Sequence, residues 1–182
     1  MFGLFRRSPN KPLIDKLHGE IMAGVLHPAL YLHCGVPDTF DGRFEMLALH
    51  GGLVVRAINK LPAPGPELAQ DLLDGIFRQH DATLREMGVG DVTVPKRMKK
   101  HAQAFAGRAF IYSEALDKMD EPALRVALAR NVLSDENGAD TPQAHALSAY
   151  VLALDAALAT YGIEHFLAGR IGFPVPETKG AA

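Results

Sequence analysis

The stretch FEMLALHGGLVVRAINKL, Phe44 to Leu61, decides the fold class. Its apolar positions Phe44, Leu47, Gly51, Val54, Ile58 and Leu61 alternate steps of three and four. That period belongs to one face of an α-helix and to no strand. The spacing predicts one long helix, with Phe44, Leu47, Val54 and Ile58 facing the core. Gly51 interrupts the stripe with no side chain, which lets a neighbouring helix approach closely.

The same period recurs on both sides. Leu13, Leu17, Ile21 and Val25 predict a helix over 12–26. Leu68, Leu72, Ile76, His80, Leu84 and Met87 predict another, with Gly88 placed just past its end, where the chain turns left-handed. Met98, Ala102, Phe105, Ala109, Tyr112 and Leu116 make the next stripe. Pro66, Pro95, Pro122 and Pro142 stand near the starts of periodic segments, where a missing N–H costs nothing. Asp120 and Thr141 are natural N-caps for the last two helices. Strand-like alternation is confined to Val92–Val94, too short to found a sheet. The expectation is an all-α, single compact helical domain of about six to seven helices. It spans 12–171, with a flexible apolar and basic segment over 1–11 and a flexible tail over 172–182.

Composition agrees with a globular domain. Of 182 residues, 48% are hydrophobic and 22% charged, enough to bury one core. A single cysteine, Cys34, rules out an internal disulfide framework and a cysteine-rich zinc site. The opening MFGLFRRSPNKP is apolar first and basic second, the reverse of a secretory signal. The most apolar run, Ala146–Ile163, carries Asp155 in its middle and reads as a core helix rather than a membrane span.

Reactive groups do not converge in the sequence. Cys34 and His33 are adjacent, and neighbours on a helix point about 100° apart, so they do not form a nucleophile and base. The eight histidines show no HxxxH or HExxH spacing. LPAPGPE lacks the GK[ST] of a phosphate-binding loop. In GVGD, Gly88 closes a helix, Gly90 turns the chain and Asp91 is expected to bond local backbone N–H groups. No catalytic, cofactor or metal site is expected.

Two features are left over. In GVPDTFDGRFEML, Gly35 to Leu47, a turn with Pro37 and Asp38 leads into a helix that Asp41 is placed to cap. Gly42, Arg43 and Glu45 follow, the last two available for ion pairs. Phe40 either staples the start of this helix onto the core or, with Arg43 and Phe44, lines a groove. The second feature is the run after Pro95. Lys96, Arg97, Lys99 and Lys100 fill the first turns of a helix, in a chain whose formal net charge is only −2. Cations there oppose the helix dipole by about 0.3–1 kcal/mol each, so stability alone would place acids instead. With Arg108 further along, they suit an acidic partner: RNA, anionic lipid or an acidic protein surface. No base-reading motif accompanies them, which argues against sequence-specific nucleic-acid recognition.

These same stretches carry a resemblance. GVPDTFDGRFEMLALH, LREMGVGDVTVPKRMKK and FAGRAFIY, in this order, resemble the ubiquinol-cytochrome c chaperone family. The resemblance extends over about Leu13 to Leu133. With no import sequence read at its start, the chain is similar to the bacterial branch. The resemblance implies a non-catalytic assembly factor that needs no cofactor. It implies nascent or unassembled cytochrome b as client and a small helical partner protein. It also implies a ribosome or anionic membrane surface as docking place, with the chain in the cytoplasm or peripheral at the inner face of the plasma membrane. Pro37, Asp38, Asp41, Gly42, Gly90 and Asp91 stand in its signature stretches, Lys96, Arg97, Lys99, Lys100 and Arg108 in its basic ones. Two readings from other classes stand beside it: a peripheral adaptor binding RNA or anionic lipid through the basic patch, and a helical enzyme or ligand-binding domain.

Overall fold

The computed structural model describes residues 10–176. Most of the two terminal segments expected to be flexible, including MFGLF, lies outside the described residues. Helices make the whole frame, and no strand occurs among the described residues. Six are long: α1 (Lys11–Val25), α3 (Phe40–Asn59), α4 (Gly65–Glu86), α5 (Val94–Asp117), α6 (Glu121–Asn131) and α7 (Pro142–Ala159). These are the six that periodicity and proline placement predict. Two five-residue helices, α2 (Pro28–Leu32) and α8 (Ile163–Leu167), have too few turns to leave a period in the sequence.

The central element is α3, which packs against α1, α4, α5 and α7. Every residue from Met46 to Val54 is buried, so the helix is enclosed on all sides rather than along one stripe. Phe44, Leu47, Val54 and Ile58 are buried as their spacing requires. Small residues make the enclosure possible. A Cβ on Gly51 would lie 3.1 Å from Ile76 of α4 and 3.4 Å from Phe105 of α5. One on Gly52 would lie 3.2 Å from Ala109. Side chains at these two positions would hold α4 and α5 away from α3.

The long helices end where the sequence places their stops. Gly88 has φ +78°, and the N–H groups of Gly88 and Val89 donate to the carbonyls of Arg85 and Leu84. This double closure satisfies two carbonyls that α4 would otherwise leave bare. Asp120 and Thr141 accept hydrogen bonds from the N–H groups of Ala123 and Ala144, capping α6 and α7. The cap of α3 differs from expectation. Thr39, not Asp41, is its N-cap, with Oγ1 accepting from Gly42 N–H at 3.1 Å. Asp41 lies one residue inside the helix, where its charge favours the dipole.

Charges within the frame are paired across helices. The Asp155 carboxylate, in the middle of apolar α7, takes a hydrogen bond from Arg56 of α3. Arg56 and Lys60 both reach Asp117 at the end of α5. His50 is fully buried, donating from Nδ1 to the Met46 carbonyl at 2.8 Å and accepting at Nε2 from the Tyr150 hydroxyl at 2.6 Å. Burial holds its pKa down to about 4, so the ring is neutral at physiological pH. The chain after α8 closes this end of the core. The Phe173 ring packs against His50 and Gly24, and the Tyr161 hydroxyl donates to the Gly172 carbonyl. Gly172 and Phe173, which fall in the segment expected as a loose tail, thus contact the domain.

Candidate functional site

The Gly35–Leu47 stretch builds one wall of a groove. Gly35 turns left-handed at φ +71° and leads the chain past Pro37. The Pro37 carbonyl then fills the space that any side chain on Gly42 would need. Pro37 and Gly42 together fix how α3 begins. Asp38 and Arg43 pair at 2.7 Å across this start, both at the surface. Phe40 is half-buried and Phe44 buried, and both rings face α4.

The other walls come from α1 and α4. His18 and Met22 of α1, with Leu26 just past its end, stand opposite Gln79, His80 and Thr83 of α4, with Met87 at the rim. The depression has a volume of about 510 Å³, with Leu47 and Phe44 at its inner surface. A smaller hollow of about 270 Å³ adjoins it, formed with Pro28, Tyr31 and Leu32 of α2. Leu26, Asp38 and Arg43 line both, so the two are parts of one elongated depression. Its margins carry unusually exposed apolar side chains: Leu26 is 46% exposed, Met87 56% and Leu32 74%. Exposed apolar side chains clustered around a depression suit an apolar partner, and methionines adapt to varied shapes.

Phe40, Arg43 and Phe44, the groove residues expected from sequence, all line it. The residues from α1, α2 and α4 were not foreseen. Met22, Leu26 and Leu32 lie outside the α1 stripe, and that was the available signal. His80 and Met87 fall within the α4 stripe and read there as core.

His80, which lines the groove, pairs with His101 of α5. His80 Nε2 and His101 Nδ1 lie 2.5 Å apart, one donating and the other accepting. The His101 ring stacks on Phe44 with centroids 4.5 Å apart, and the Phe40 ring stacks on His80 at 5.9 Å. Burial, then the neighbouring His101 charge, holds the His80 pKa down to about 4. Burial also lowers His101; Asp41 opposes this, while Lys100 and Arg97 add to it. These interactions place Arg97 and Lys100 close to His101.

Lys96, Arg97, Lys99 and Lys100 are exposed on the first turns of α5. No acid occupies that turn, and none of the four makes a salt bridge among the described residues. Arg108 is unlike them. It donates two hydrogen bonds to Glu45 of α3, at 2.9 and 3.0 Å, half-buried between the helices. The structure thus separates Arg108 from the patch in which its charge alone would place it. Asp91 also differs from expectation, accepting from Arg85 at 2.6 Å rather than from local backbone, while Gly90 accepts from the N–H groups of Thr93 and Val94 in the same turn.

Cys34 is buried, and burial pushes its thiol pKa up, the opposite of nucleophile activation. His27 accepts from Ala29 N–H and caps α2. Among the described residues no group of three or more His, Cys, Asp or Glu is arranged to hold a metal ion. No helix among them is long and apolar enough to cross a membrane.

Comparison with known proteins bears on the fold and the family. No curated protein matches the chain. The crystal structure of the Cbp3 homolog from Brucella abortus superposes with a TM-score of 0.80, at 38% sequence identity over 91% of each chain. A sequence model of the ubiquinol-cytochrome c chaperone family matches residues 32–173, from the end of α2 through the docked Phe173. That span holds the α3 wall of the groove, the histidine pair and the basic start of α5, and the chain belongs to the ubiquinol-cytochrome c chaperone family.

Proposed function

We propose that this chaperone of ubiquinol-cytochrome c reductase assembly holds unassembled cytochrome b by laying an apolar client segment into the groove between α1, α3 and α4. Family membership supplies the chaperone role. The groove is the observation that carries the rest. It combines aromatic walls, two methionines and exposed leucines with no reactive constellation, the surface that helix-in-groove recognition needs. A chaperone must release its client, and an open depression suits that better than a closed pocket. The four exposed cations of α5, without salt bridges among the described residues, attract a negatively charged partner. A small helical partner protein would fit the same apolar margins.

The test uses Phe40→Ser combined with Met87→Ser in the full chain, at positions half-buried and exposed, so that the fold survives. Cells carrying this variant as their sole copy should show reduced cytochrome b in their membranes. Cytochrome b cross-linked to the purified chaperone should fall in parallel. Unchanged cytochrome b levels and cross-linking, with a folded variant, would refute the groove as client site.

A further inference from the structure

The groove and the basic start of α5 lie on one continuous surface. Phe40 and Phe44 line the groove and also pack on His101, with Phe44 in direct stacking contact. His101 stands one residue beyond Lys100 and one turn beyond Arg97 on α5, and it feels both charges. A second connection runs along the chain. Met87 at the groove rim leads through a short turn, with Val92 95% exposed, to Val94, where α5 begins. Two groove residues, Phe40 and Phe44, therefore touch α5 at His101, beside Arg97 and Lys100.

The charges of this surface are unbalanced in one direction. On the α2 side of the groove Arg43 is already neutralised by Asp38. On the α5 side Asp41 is the one acid that reaches His101, against Arg97 and Lys100, with Lys96 and Lys99 on the same turns. A wholly apolar segment in the groove would leave these cations unmatched. A segment with acids at one end would match them, and the shared surface would read both features at once.

From this we propose that the groove and Lys96, Arg97, Lys99 and Lys100 form a single binding site for one amphipathic protein segment. Its apolar stripe fills the groove, and its acidic flank lies against the start of α5. The inference rests on the groove reading above and assigns the cations to the client segment rather than to a separate docking surface. It also sets the direction of the bound segment, because the acidic end must point towards α5 and the opposite end towards Leu32. Complementary charge at the edge of an apolar contact contributes mainly specificity and orientation.

The test measures binding of labelled helical peptides to the full chain by fluorescence anisotropy. Each peptide carries the same leucine stripe, flanked at one end by glutamates, glutamines or lysines. The glutamate peptide is expected to bind about tenfold more tightly than the glutamine peptide at low salt, from several exposed ion pairs acting together. Added salt should erase most of that advantage, since exposed charges are screened beyond about 8–10 Å at physiological ionic strength. Reversal of Lys96, Arg97, Lys99 and Lys100 to glutamate should transfer the preference to the lysine peptide. Phe40→Ser should weaken all three peptides. If glutamate and glutamine peptides bind equally and both depend on Phe40, the composite site is wrong while the groove stands. If the glutamate peptide binds without regard to Phe40, the groove reading fails with it. Phosphatidylglycerol vesicles captured through the four cations, with no charge preference among peptides, would also overturn the proposal in favour of a membrane contact.

Discussion

The two halves of α5 place cations in opposite circumstances. In the first turns, Lys96, Arg97, Lys99 and Lys100 are exposed and without ion-pair partners among the described residues. In the second half, Phe105, Tyr112, Ala115 and Leu116 are buried, Arg108 is fastened to Glu45, and Asp117 joins Arg56 and Lys60. Both halves belong to one uninterrupted helix of 24 residues. The second half holds the fold together. The first half carries no acid in its opening turn, and its cations work against the helix dipole.

The sharpest way to break this contrast is to cut into the second half. Phe105 is buried, edge-on to Phe77 and in contact distance of the space beside Gly51. Phe105→Ala should cost about 3–5 kcal/mol, through lost burial and the cavity left between α3, α4 and α5. Urea unfolding checks this; a loss below the range seen for surface substitutions would mean that α5 is not anchored there.

Acid separates the buried core from the surface in another way. His50 is ordinarily protonated near pH 6.5 in an unfolded chain but only near pH 4 when folded. Between those values the unfolded chain binds the extra proton, so stability is full above about pH 6.5 and falls as pH drops towards 4. For His50 the loss is on the order of 3 kcal/mol. His80 moves in the same direction, and its protonation would disturb the groove it lines. Urea midpoints compared at pH 7 and pH 5 should show the decline, and His50→Gln should make it shallower. A pH-independent midpoint would show that neither ring is held neutral by the fold.

A smaller effect tests the difference between the cations directly. Arg108→Ala leaves Glu45 half-buried without its two hydrogen bonds and should cost about 1.5–3 kcal/mol. The joint reversal of Lys96, Arg97, Lys99 and Lys100 to glutamate should leave the melting temperature unchanged or slightly raised, gaining at most about 0.3–1 kcal/mol per charge from the dipole. Calorimetry of both variants settles the contrast. A reversed protein that melts well below the parent would place the patch in the folding machinery.

Much of the fold was legible because helices leave local marks. Apolar residues three and four apart, prolines in first turns, Gly88 at a stop and Thr141 at a start each act within a turn or two of chain. They located all six long helices. The cap of α3 was misjudged by two residues because Thr39 and Asp41 are both good caps, and the choice depends on the space Gly42 leaves for the Pro37 carbonyl. For Phe40 and Phe44 the sequence left two readings open, a staple onto the core and a groove wall, because both place aromatics at a helix start.

Taken alone, the sequence determines the helical class, the order and approximate ends of the long helices, the family resemblance and the unfavourable placement of the basic run. Tertiary structure decides which residues meet. Glu45 and Arg108 lie 63 positions apart and His50 and Tyr150 100 apart, and no local period relates either pair. It decides that Arg108 is tied to Glu45 while Lys96 has no ion pair among the described residues, although both are basic residues of the same helix. It decides that Met22, Leu26 and Met87 stand around Phe40 as a groove rather than inside a core. The physical reason is that helix formation is governed by neighbours within one or two turns, whereas a site is a contact among surfaces that only the packing of separate helices brings together.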